Sequence, residues 1–118
     1  MSEKTASSVQ ETLPEASPCI VFSTSPNEEE AVRLARALVE ERLCACVNIL
    51  SGVRSIYRWQ GAVEDAQEHL LLIKTSLERL PALERRISEL HTYDTPEVIA
   101  VPIASGSRQY LDWLENQL

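Results

Sequence analysis

ACVNILSGVRSIYRWQGAVEDAQEHLLLIKT, residues 45–75, reads as one long β-hairpin. Ala45-Cys46-Val47-Asn48-Ile49 starts the first arm, and Ser51-Gly52 interrupts it; a glycine inside a strand pattern marks a bulge or bend. Val53 to Gln60 resumes extended backbone, Gly61 makes the turn, and Ala62 to Thr75 returns as the partner arm. That arm ends in Leu70-Leu71-Leu72-Ile73, apolar toward both faces of a sheet.

On the N-terminal side, Cys19-Ile20-Val21-Phe22 forms a short strand, also apolar on both faces, and Ser23 to Asn27 is a turn cluster. Asn27 is the N-cap of a helix. Glu28, Glu29 and Glu30 form its solvated first turn, where the helix dipole favours acids, and the helix runs to about Leu43 with Ala31, Leu34, Ala35 and Leu38 inward. On the C-terminal side, a second helix runs from about Arg79 to near His91, with Pro81 tolerated only in its first turn. Thr95-Pro96 forces extended backbone, and Val98 to Val101 with Ile103 gives a fourth strand. A loop at Ser105-Gly106-Ser107 leads to a terminal helix, Arg108 to Leu118. The order β-α-β-β-α-β plus a helix is the ferredoxin-like split arrangement, an α+β fold with two helices on one face of an antiparallel sheet. Residues 1–17 hold five apolar side chains and no helical stripe, so they are expected to be a disordered tail; residues 18–118 form a single domain.

Two helices cover one face of a four-stranded sheet, and an uncovered face should alternate with polar residues. Strand 1, the end of strand 3 and strand 4 do not. Soluble monomers seldom expose such a patch, so a homo-oligomer packing sheet against sheet is expected.

Composition narrows the function. Eighteen acids against eleven Lys and Arg give a net charge of −7, without the basic face that nucleic acid demands. No apolar run approaches the ~20 residues of a membrane helix. The N-terminal residues lack the apolar core of a signal peptide, and three cysteines, an odd number with no CxxC, read as reduced thiols; the expected location is the cytoplasm. No phosphate-binding loop is present.

Few residues carry acid–base or ligand chemistry. His69, mid-strand, reads as a surface histidine; His91, at a helix end, suits either a structural role or a metal. Cys44 and Cys46 place two sulfurs on one side of an extended segment, an arrangement fit for a soft ion, but free cysteines are usually small buried hydrophobes. Ser55, Tyr57 and Trp59 share one strand face. Glu68 and Lys74 share another and are candidates for ion pairing at a subunit contact, or for a ligand.

Several motifs in order give a family resemblance: Ala45-Cys46-Val47-Asn48-Ile49; Ser55-x-Tyr57-x-Trp59-x-Gly61; Glu68 with Leu72-Ile73-Lys74-Thr75; Glu89-Leu90-His91-x-Tyr93-x-x-Pro96-Glu97; and Tyr110-x-x-Trp113. Over residues 19–114 the chain resembles the CutA family of divalent-cation tolerance proteins. The resemblance implies a homotrimer related to the PII signalling proteins, a link to copper and other divalent cations, and no established catalysis. It implies an inter-subunit cleft, expected to include Tyr57, Trp59, Glu68, Lys74, Tyr93, Glu97 and Trp113. Relative to some members, Ser23 replaces a cysteine, Leu90 a histidine, Ala62 a lysine and Ser51 a proline. His91 is then the remaining metal ligand, for copper or another divalent cation bound weakly. The competing expectations are a PII-like module sensing a small anion at its clefts, or a trimeric scaffold for another protein.

Overall fold

The computed structural model describes residues 17–118. In chain order these form strand β1 (Pro18–Ser25), helix α1 (Glu28–Glu40), strand β2 (Cys46–Trp59), strand β3 (Ala62–Ser76), a 3-10 turn (Leu77–Arg79), helix α2 (Leu80–Leu90), strand β4 (Ile99–Pro102) and helix α3 (Arg108–Asn116). All strand pairs are antiparallel, in the order β2-β3-β1-β4. The fold is α+β: among the described residues, one four-stranded sheet and three α-helices.

The hairpin has the geometry its sequence demands. Trp59 pairs with Ala62, leaving Gln60-Gly61 as a two-residue loop. Both have positive φ, 51° and 83°, the condition for a turn that matches strand twist. The register slips between Leu50 and Val53, and Gly52 supplies the left-handed backbone of that bulge at φ 78°. Beyond the bulge the arms leave the core; Ile56 and Val63 are 64% and 65% exposed. Arg54 ties the arms there with a fork to Asp65, at 2.9 and 2.6 Å.

Two boundaries differ from expectation. Strand β1 continues through Ser25, because β3 offers a partner at every step down to Ser25 opposite His69. Ladder pairing overrides the turn preference of Ser23-Thr24-Ser25. Helix α1 stops at Glu40 rather than Leu43. Arg42 takes a left-handed conformation (φ 59°), so its N–H reaches the Val39 carbonyl and the Leu43 N–H reaches that of Leu38, both at 3.0 Å. This is the Schellman closure, with arginine in the seat usually held by glycine.

Alternation along β1 and β3 sends Cys19, Val21, Leu71 and Ile73 toward α1 and α2, where Ala31, Leu34, Leu38, Leu83 and Ile87 complete the core with Cys44. On the opposite face, Ile20, Phe22, Leu70 and Leu72 are half-buried. Helix α3 packs on β3 and β1. Its Tyr110 hydroxyl lies 3.7 Å from Cys46 Sγ, and Cys46 pairs with Lys74 on that second face. It therefore covers only one end, and Ile99 and Val101 of edge strand β4 remain 56% and 49% exposed. The expected tail falls outside the described residues except for Ser17, whose carbonyl accepts from the Leu77 N–H at 2.9 Å.

Candidate functional site

A cavity of about 640 Å3 opens between the hairpin and the loop after α2. The first arm contributes Ser55, Ile56, Tyr57 and Trp59, and the second contributes Glu68. Thr24 comes from β1, and Tyr93, Asp94, Thr95 and Glu97 come from the loop. Five of the expected cleft residues, Tyr57, Trp59, Glu68, Tyr93 and Glu97, thus line one space. Lys74 and Trp113 do not. Lys74 lies six residues along β3 from Glu68, with its ammonium on the Asn48 side-chain oxygen, so the two do not pair within one chain. Trp113 is on α3, its ring 5.5 Å from that of Tyr110.

A buried polar chain sets the loop in place. The Tyr93 hydroxyl donates to Glu68 Oε2 at 2.6 Å, although Glu68 is only 5% exposed. Burial, and then the Glu68 carboxylate, push the Tyr93 phenol well above its ordinary range, so it stays a donor. Behind Tyr93, its ring 4.6 Å away, lies His91, whose side chain is fully enclosed. His91 Nε2 is 2.7 Å from the Thr24 carbonyl, which can only accept, so Nε2 carries the proton. Nδ1 accepts from the Tyr93 N–H at 3.0 Å. Glu30 Oε2 also lies 3.2 Å from Nδ1. An ion pair there would need a proton on Nδ1 and would strip the Tyr93 amide of its acceptor. Both ring nitrogens are thus engaged in hydrogen bonds in this arrangement.

Glu30 was expected to be solvated with Glu28 and Glu29, but it is 3% exposed. Its carboxylate accepts from the Thr92 N–H at 3.1 Å and the Thr92 hydroxyl at 2.9 Å, pinning the start of the site loop to α1. The spacing Asn27-x-x-Glu30 is a capping signature that could have singled it out. Asn27 does cap α1, its side chain accepting from the Glu30 N–H at 2.8 Å. No local pattern signalled the partner 62 residues away. Asp94, Thr95 and Thr24 were missed for the same reason.

The other candidates are dispersed. Cys44 is buried in the core, its thiol pushed up to about 12 by burial, whereas Cys46 is half-buried beside Tyr110. His69 is half-buried, and its Nδ1 is enclosed with no hydrogen-bond partner among the described residues. Among the described residues, no three His, Cys, Asp or Glu side chains converge as metal ligands. No helix among them is long and apolar enough to cross a membrane.

Comparison with known proteins agrees with this architecture. Residues 19–117 match the family model described as CutA1 divalent ion tolerance protein. The chain is 57% identical over 97 residues to the divalent-cation tolerance protein CutA of Thermus thermophilus, covering 82% of this chain and 94% of that protein. It is 47% identical to the chloroplastic CutA of Arabidopsis thaliana, again over 82% of this chain but spanning only 53% of that longer protein. The solved structure of the Thermus thermophilus divalent cation tolerance protein superposes with a TM-score of 0.83 at 54% identity, over 85% of this chain and 97% of that one.

Proposed function

The chain belongs to the CutA1 divalent ion tolerance protein family, and we propose that it is a non-enzymatic homotrimer that associates with divalent cations, copper included, at its acidic cavity. One observation carries the reading. Among the described residues the lining holds three carboxylates, Glu68, Asp94 and Glu97, and no Lys, Arg or His. That field attracts cations and repels anions, which disfavours a sensor of small anionic molecules.

Binding should be weak. One chain supplies carboxylates but no closed set of ligands. Oxygen donors suit hard ions better than copper, and the imidazole that would favour copper is engaged elsewhere. Micromolar affinity or poorer corresponds to ~8 kcal/mol or less. The strand order β2-β3-β1-β4 supports a ferredoxin-like topology. The apolar second face, with Phe22, Leu70 and Leu72 half-buried and Ile99 exposed, supports assembly through the sheet. The unpaired thiols support a reducing compartment, and we place the protein in the cytoplasm.

The test is calorimetric titration of the purified protein with copper(II), zinc(II), magnesium(II) and inorganic phosphate, repeated on Glu68→Gln and Glu97→Gln. Cation heats that shrink in both variants support the reading. Phosphate binding with no cation binding would refute it.

A further inference from the structure

The cavity is larger than a bare ion requires. Its volume of about 640 Å3 is that of a small-molecule site. A divalent ion instead needs several ligand atoms within roughly 2.0–2.6 Å of one point, and the described residues bring no such set together.

Its walls suit a larger cation. Three aromatic side chains, Tyr57, Trp59 and Tyr93, line it together with the three carboxylates. Glu68 is the decisive residue. It is 95% buried. Its Oε2 is taken by the Tyr93 hydroxyl. Its Oε1 has no hydrogen-bond partner among the described residues, and Glu68 is part of the cavity wall. A carboxylate so far removed from water, with no ion-pair partner among the described residues, is stabilised by any cation that reaches it. Aromatic walls attract a cation most when it arrives without a tight water shell and carries apolar surface of its own. A hydrated divalent ion offers no apolar surface, whereas an alkylammonium ion holds its water less tightly and carries an alkyl chain.

We propose that the cavity binds a small organic ammonium ion. Its N–H groups bond Glu68 Oε1, its alkyl part lies against Tyr57, Trp59 and Tyr93, and Asp94 and Glu97 add to the attracting field. This deepens the cation reading above and rests on it, since both need a cavity that selects positive charge.

The experiment uses the full chain carrying Trp113→Phe, which leaves Trp59 as the sole indole. Tryptophan emission and heat are followed during titration with n-butylammonium chloride, with butan-1-ol as its neutral counterpart, and with magnesium chloride, all at matched ionic strength. The expected result is saturable binding of butylammonium and none of butanol. Glu68→Gln should weaken butylammonium by about tenfold, the loss of one charge-assisted hydrogen bond. Trp59→Leu, at a half-exposed hairpin position, should weaken it roughly two- to fivefold by calorimetry. Butanol binding as tightly as butylammonium would overturn the proposal. Magnesium binding without butylammonium binding would overturn it and leave the divalent-cation reading standing. Silence toward both would overturn the proposal, and the copper(II) and zinc(II) titrations above would then decide the divalent-cation reading.

Discussion

The Tyr93 hydroxyl donates to Glu68 Oε2 at 2.6 Å, joining a loop to a strand 25 residues earlier in the chain. The bond places an aromatic wall and a nearly buried carboxylate at one point of the cavity. It also couples the shape of the site to the stability of the fold.

Tyr93→Phe leaves the Glu68 carboxylate without its donor. Unfolding by urea should show a loss of about 1.5–3 kcal/mol, the usual range for a hydrogen bond to a charged group. An unchanged midpoint would mean that water replaces the phenol without cost.

The raised Tyr93 phenol also fixes a pH dependence. The folded protein holds the proton to higher pH than the unfolded chain, which releases it near 10. Stability from this group is therefore complete below pH 10 and declines as pH rises from there toward the folded-state value. Denaturation midpoints measured from pH 8 to 11 should fall above 10, and less steeply in Tyr93→Phe.

His91→Ala should destabilise without abolishing cation association. It strands the Thr24 carbonyl and the Tyr93 amide, each formerly paired with the ring. About 2–4 kcal/mol should be lost in thermal or chemical melts, from two unpaired polar groups and a small void. A large fall in copper(II) affinity at unchanged stability would instead make His91 a ligand.

The thiols should separate by burial. Cys44 is held at about 12 and Cys19 is raised, both by burial, whereas Cys46 is half-exposed. A thiol reagent at pH 8 should label only Cys46 in the native protein and all three after unfolding. Native labelling of Cys44 would show that the core opens at that point.

Assembly is tested by mass. Light scattering should give three times the chain mass, and Val101→Asp, on the exposed face of β4, should lower it. A native protein that scatters as a single chain would refute the packing of sheet on sheet.

Much of this molecule was legible from residue order. The period of two in residues 45–75, the left-handed requirement at Gly52 and Gly61, the Asn27 cap and the helical spacing of Leu34, Leu38, Leu83 and Ile87 are local facts, and local physics specifies them. Family motifs added Tyr57, Trp59, Glu68, Tyr93 and Glu97, five residues that meet at the cavity. Tertiary structure decided the rest. Glu30 looks like any first-turn acid until α1 is laid beside Thr92, and His91 looks like an exposed helix end until β1 presents the Thr24 carbonyl to it. Likewise, Lys74 and Glu68 share a strand face, yet their separation along β3 keeps them from meeting. Spacing along the chain fixes which face a side chain takes. Only packing sets which distant group waits there, and that partner determines whether a carboxylate or an imidazole is free to bind.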